Sequence, residues 1–90
     1  MMRMHIVFTH EFRRAYKHLP RKMQKIVDDK IVQLSSNPAH PSLQVHKHRQ
    51  GKAEHLWICY ISMNNRLLYQ YKDGSIYLRN VGNHNIVERI

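Results

Sequence analysis

The stretch Trp57-Ile-Cys-Tyr-Ile-Ser-Met-Asn-Asn-Arg66-Leu-Leu-Tyr69 decides how this chain folds. Two apolar runs flank Met63-Asn-Asn65, and asparagine tolerates the left-handed angles that a tight turn demands. Such runs on either side of a short polar turn read as antiparallel strands, here 55–62 and 66–71. Beyond them, Asp73-Gly74 is the strongest kind of hairpin signal, so residues 75–81 are expected to form the next strand, broken by Gly82. On the other side, residues 43–49 are a further strand candidate, separated from position 55 by a polar loop around Gly51.

The first half of the chain has a different period. Residues 4–8 form a short β-like run, and Thr9 is placed to cap a helix beginning at residue 10. Phe12, Ala15, Tyr16 and Leu19 recur at helical spacing, with Arg13, Arg14 and Lys17 on the opposite face, which predicts a helix over 10–19. Pro20 suits the first turn of a second helix, where its missing N–H costs nothing. Met23, Ile26, Val27, Ile31 and Leu34 give that helix its apolar stripe. Ser35-Ser-Asn-Pro38 ends it, because the residue before a proline avoids helical angles. The order is therefore β-α-α-β-β-β. This is an α+β fold in which an antiparallel two-helix hairpin packs on one face of a twisted, mainly antiparallel sheet, leaving the other face for a ligand.

Side chains alternate across a strand, so Arg66 shares a face with Leu68 and Gln70 while Leu67, Tyr69 and Tyr71 take the other. Arg66 is expected on the open face. By the same rule Ile76, Leu78 and Asn80 oppose Tyr77, Arg79 and Val81, with the side of Arg79 undecided.

Ninety residues make one small domain, residues 1–90. Fifteen Lys+Arg against 6 Asp+Glu give a formal charge of +9, which favours polyanionic partners, whether nucleic acid or an acidic protein. A membrane surface is a poorer match, since no helix sets a sufficiently apolar face against its cations. The single cysteine, Cys59, excludes an internal disulfide, and its apolar strand predicts a buried, inert thiol. The apolar run at the N-terminus is too short for a signal peptide, and no span reaches membrane length; a cytoplasmic protein is expected.

An arginine set in a strand needs a partner for its charge, and in a chain this basic the natural one is a phosphate. Cleaving RNA without a metal takes a base for the 2′-hydroxyl, an acid for the leaving 5′-oxygen, and a cation for the charge that builds on phosphorus. Histidine suits both proton roles and arginine the third. The candidates are Arg66, His46, His48 and His84 for catalysis. Lys47, Arg49, Lys52 and Arg79 are candidates for holding the RNA, with no cofactor and no metal. Each has a plainer reading. His5, His10, His18 and His55 read as surface residues, as would His46 and His48 taken singly, and His40 as part of a rigid exit from the second helix. For Arg66 the plainer reading is a structural arginine bonded to a carboxylate or to backbone carbonyls. The His46-x-His48 spacing also suits a metal, although neither a cysteine pair nor a carboxylate cluster accompanies it.

Five stretches, taken in order, resemble the RelE/ParE superfamily of toxins from type II toxin–antitoxin modules. They are Phe12-Arg-Arg-Ala-Tyr-Lys-His-Leu-Pro20, Asn37-Pro-Ala-His-Pro-Ser-Leu43, His46-Lys47, Met63-Asn-Asn-Arg66-Leu-Leu-Tyr69 and Leu78-Arg-Asn-Val-Gly-Asn-His84. The resemblance spans nearly the whole chain and implies the fold just described, a basic concave face, and a cognate acidic antitoxin as partner of an otherwise monomeric toxin. Its RelE- and YafQ-like branch cleaves mRNA, commonly on the ribosome. That branch's arginine before the Leu-Leu-Tyr strand corresponds to Arg66, its histidine after the Val-Gly turn to His84, and its cluster before the central strands to His46, Lys47 and His48. The chain departs in having no aromatic residue after His84, so base stacking would fall to Tyr60 or Tyr71. The alternatives are a ParE-like toxin that inhibits DNA gyrase and an inactive homologue that only binds antitoxin.

Overall fold

A computed structural model describes residues 3–47, 56–83 and 85. The elements run in the order β1 (His5–Phe8), α1 (His10–Lys17), α2 (Arg21–Ser36), a 3₁₀ turn (Pro41–Leu43), β2 (His46–Lys47), β3 (Leu56–Ser62), β4 (Asn65–Lys72) and β5 (Ser75–Asn83). The five strands form one sheet in the spatial order β1-β5-β4-β3-β2. The β1–β5 pair is parallel and the rest are antiparallel, as expected for a chain whose last three strands are joined by tight turns.

Thr9 does three things where β1 gives way to α1. Its Oγ1 accepts the Phe12 N–H at 3.2 Å, capping α1, and donates to the Leu78 carbonyl at 2.5 Å. Its own N–H also donates to Leu78, which ties the helix entry to β5. Pro20 stands immediately before α2 and caps it by position alone, with no side-chain bond. The helices are joined by side chains near their link: the Tyr16 hydroxyl donates to Asp28 at 2.7 Å, and Gln24 Nε2 donates to the Tyr16 carbonyl. The bond to Asp28 is the first reason the Tyr16 phenol titrates above its ordinary value.

The main core lies between helices and sheet. Phe12, Val27, Ile31 and Leu34 meet Cys59, Ile61, Leu67, Tyr69, Ile76, Leu78 and Val81 there, with Leu43 closing one end. Leu56, Ile58 and Leu68 form a smaller buried cluster of their own. Register pairs Ile58 with Leu68, and alternation sets them opposite Cys59 and Leu67, so this cluster belongs to the face away from the helices.

Three sequence expectations are corrected. The segment after α2 does not enter a strand at Leu43. Pro41 opens a 3₁₀ turn capped by His40, whose Nδ1 accepts the Ser42 N–H, and Gln44 leaves it in the left-handed region at φ 44°. Among the described residues β2 then comprises His46 and Lys47. The second correction concerns β5, where strict alternation placed Val81 opposite Ile76 and Leu78. Tyr69 pairs with Leu78 and Leu68 with Asn80, so Arg79 is an extra residue in the ladder. This bulge resets the phase and returns Val81 to the core. Nor does Gly82 break the strand: it pairs with Arg66 at φ 153°.

The β4–β5 turn sets the register of both strands, and Asp73 and Gly74 both take positive φ, 52° and 77°. Those values suit the two-residue hairpin turn that Asp-Gly favours. A Cβ at Gly74 would meet no atom within 4 Å, so its substitution is opposed by backbone strain alone. Gly74→Ala should therefore cost about 1 kcal/mol, lowering Tm by roughly 4–8 °C in thermal unfolding, and Gly74→Asn should cost less.

Candidate active site

Strand β4 carries the site because it sits between β3 and β5 and must face both ways. Leu67 and Tyr69 are fully buried under the helices, and Arg66 lies on the opposite face beside its cross-strand partner Tyr60. The expected face of Arg66 is thus found. Its surroundings are also defined. Nη1 donates to the carbonyls of Ser62 at 2.5 Å, Asn65 at 2.9 Å and Met63 at 3.3 Å, all in the β3–β4 turn. The guanidinium carbon stands 5.0 Å from the centre of the Tyr60 ring. The plainer reading of Arg66, as a cation bound by backbone carbonyls, therefore holds for one of its terminal nitrogens. Among the described residues Nε and Nη2 make no hydrogen bond, which leaves one edge of the planar fork for an acceptor.

His46 reaches the same face. It pairs with Ile58, which pairs with Leu68, which pairs with Asn80, so these four side chains form a row across the sheet. The next row is Tyr60, Arg66 and Gly82. Strand spacing and rise put the Cα atoms of His46 and Arg66 roughly 12 Å apart, with the apolar cluster between them. The His46 Nδ1 lies 3.3 Å from the Gln44 carbonyl. A carbonyl only accepts, so that bond requires the proton on Nδ1. Lys47 pairs with Trp57 and so takes the helix side of the sheet, exposed at its edge.

Arg79 does not join Arg66. The bulge turns it towards α1, where Nη2 lies 3.7 Å from Glu11, both side chains being largely exposed. His48, Arg49, Lys52 and His84 lie outside the described residues. Among the described residues, no three His, Cys, Asp or Glu side chains gather as a metal site requires, and no helix is long and apolar enough to cross a membrane.

Sequence reasoning missed Lys30. Its Nζ stands 5.8 Å from the centre of the same Tyr60 ring that Arg66 covers. Thirty residues separate the two in sequence, and the only local signal was a lysine beside the apolar stripe of α2. Of the two stacking candidates, Tyr71 belongs to the helix side, edge-on to both Tyr69 and Trp57. Of those two, Tyr60 is the one that shares the face of Arg66, to which Tyr77, paired with Gln70, also belongs.

Among the described residues, two buried donors of the aromatic layer beneath the helices, Trp57 Nε1 and Tyr69 Oη, have no hydrogen-bond partner. The Tyr71 phenol is the polar neighbour of Tyr69, and burial is the main reason Tyr69 titrates far above its usual range. Burial likewise pushes the Cys59 thiol up to about 12, with the Lys30 ammonium opposing it. The thiol is buried, as its strand suggested.

No family model and no curated protein matches the sequence. Solved structures do match over almost its full length. The YoeB dimer from Staphylococcus aureus aligns with a TM-score of 0.74 at 21% identity, covering 91% of this chain and 98% of that one. YafQ from Escherichia coli BL21(DE3) aligns at 0.74 with 14% identity, covering 90% and 93%. The toxin–antitoxin complex RelBE2 from Mycobacterium tuberculosis aligns at 0.73 with 23% identity, covering 93% and 94%. The chain has the fold of these toxins.

The Cys59 thiol carries a pH dependence with a definite sign. Its folded pKa, about 12, exceeds the ordinary 9.0, so its contribution to stability is complete below pH 9 and is lost as pH rises towards 12. The loss should reach up to about 1.4 kcal/mol per pH unit, and Tyr69 adds to it with the same sign. Urea unfolding at a series of alkaline pH values should show the stability gap between the natural protein and Cys59→Ala narrowing as pH rises.

Proposed function

We propose that this chain is the toxin of a type II toxin–antitoxin module, a metal-independent endoribonuclease that cuts mRNA on the ribosome in the cytoplasm. The observation that carries the reading is Arg66. It is a partly buried cation on the sheet face away from the helices, fixed by three backbone carbonyls, with one edge of its fork uncommitted. A guanidinium held in this way is preorganised for an anion whose charge rises during reaction, and it needs no rearrangement at that moment. The formal charge of +9 supports a polyanionic substrate.

In this mechanism His46 takes the 2′-hydroxyl proton as that oxygen attacks the adjacent phosphorus. Arg66 stabilises the charge on the non-bridging oxygens. His84 gives a proton to the departing 5′-oxygen, leaving a 2′,3′-cyclic phosphate and a 5′-hydroxyl. His48 is the alternative base, Arg49 and Lys52 hold the strand, and Lys47, exposed at the sheet edge on the helix side, adds positive potential without facing Arg66. Arg79 turns towards Glu11 instead and contributes only general positive potential. The partner is an acidic antitoxin, by analogy with the DinJ–YafQ and YoeB–YefM complexes that share the fold.

Arg66→Ala should lower single-turnover cleavage about 10²-fold or more, and His84→Gln about 10²- to 10⁴-fold. Arg66→Ala also forfeits charged hydrogen bonds and should cost about 1–3 kcal/mol of stability, so the folded fraction must be measured alongside. Arg66→Lys should keep the charge without the fork and remain impaired. Chelators should have no effect. Primer extension on mRNA from in-vitro translation is the test: breaks within codons support the reading. Intact mRNA with inhibited DNA supercoiling overturns it in favour of gyrase.

A further inference from the structure

Lys30 belongs to no element that the proposed chemistry uses, yet it reaches the same ring as Arg66. Val27, Ile31 and Leu34 turn the apolar stripe of α2 into the core, and Lys30 lies at its border, partly buried. Strand β2 pairs with only Trp57 and Ile58 of β3, so at Tyr60 the described residues provide no further strand beside β3. Lys30 is partly buried, as a long side chain with a charged tip can be, and its ammonium reaches the Tyr60 ring from the helix layer. The same position sets its ammonium against the pull of burial on the Cys59 thiol, the residue next to Tyr60.

Tyr60 thus holds two cations from two different layers, Arg66 at 5.0 Å and Lys30 at 5.8 Å from its centre. They can be separated by no more than about 11 Å, the sum of those distances. Like charges so close repel, and the described residues supply neither with a carboxylate. The attraction of each to the ring offsets part of that cost. An anion spanning both would remove it. Paired cations around an aromatic ring are the combination with which proteins hold single-stranded nucleic acid, where the backbone tracks the charges and a base can meet the ring.

We infer that Lys30 is a second phosphate-binding residue of the site, taking the backbone phosphate next to the one at Arg66, with the Tyr60 ring as the spacer that sets the two cations. The ligand is a single-stranded polyribonucleotide, and this assignment rests on the nuclease reading above. Lys30 makes no contact with the reacting atoms. It sets affinity and register, whereas Arg66 acts on the scissile group.

The probe is a 2′-O-methyl oligoribonucleotide, which the enzyme can bind but not cleave, titrated at several salt concentrations against the full chain. Lys30→Ala should weaken binding several-fold and reduce the slope of log affinity against log salt by about 0.7, the loss of one phosphate contact to a single strand. Lys30→Arg and Tyr60→Phe should retain both, while Tyr60→Leu should behave like Lys30→Ala. Lys17→Ala, on α1, should leave the slope unchanged. Cleavage of an ordinary RNA by Lys30→Ala should require more substrate and reach the natural rate at saturation. An unchanged salt slope for Lys30→Ala, or an equal loss for Lys17→Ala, overturns the inference. So does binding of polyglutamate in place of RNA, which would assign the cation pair to an acidic peptide. Binding without any cleavage by the natural protein would sink the nuclease reading alone, because the salt slope measures Lys30 without it.

Discussion

Everything at the site depends on the register of β4. A strand in the middle of a sheet presents alternate residues to opposite faces, and here one face is the floor of the core while the other carries the cation. Leu67 and Tyr69, both at 0% exposure, lock the first face under the helices. A slip of one residue would bury Arg66 there and expose Leu67 and Tyr69, an exchange no surface contact could offset. The Asp73-Gly74 turn on one side and Met63-Asn64 on the other hold the register, so the position of the guanidinium is decided by local turn chemistry as much as by packing.

Arg66 also illustrates how a charge can be kept in a partly desolvated place without a carboxylate. A neighbouring Asp or Glu would neutralise it, and the fork would then be committed. Backbone carbonyls bring only dipoles. Three of them orient the group and lower the cost of desolvation while leaving its net charge for a ligand. The β3–β4 turn is therefore a mount for the arginine as well as a connection between strands. The same overall fold accommodates different chemistries, so this local arrangement, more than the likeness to YoeB or YafQ, argues for function.

Much of this architecture is legible in the sequence. Thr9, Pro20 and Asn37-Pro38 mark helix ends by chemistry that acts within a few residues, and Asp73-Gly74 does the same for a turn. The alternation Arg66-Leu67-Leu68-Tyr69 assigns the faces of β4 directly. The features that the sequence hides depend on partners distant along the chain. The bulge at Arg79 is visible only once Tyr69 and Leu68 are known to pair with Leu78 and Asn80. Lys30 meets Tyr60 through packing of α2 on the sheet, and no pattern within either element announces it. The carbonyls around Arg66 belong to its own turn, yet their convergence depends on the curl imposed where Ile61 is an extra residue opposite β4.

The β5 bulge bears on how chains of this fold can differ in length. Leu78 and Arg79 together oppose Tyr69, and every residue after them is already in phase with its partner. A chain lacking position 79 would run Leu78 and Asn80 as consecutive rungs against Tyr69 and Leu68, with Val81 still inward and Gly82 still beside Arg66. Elsewhere in the strand, a single-residue deletion would invert every face beyond it. Position 79 is thus a place where descendants of a common ancestor can gain or lose a residue without disturbing core or site. Pairwise alignments of such chains should be allowed to open a gap there even though it falls in the middle of a strand.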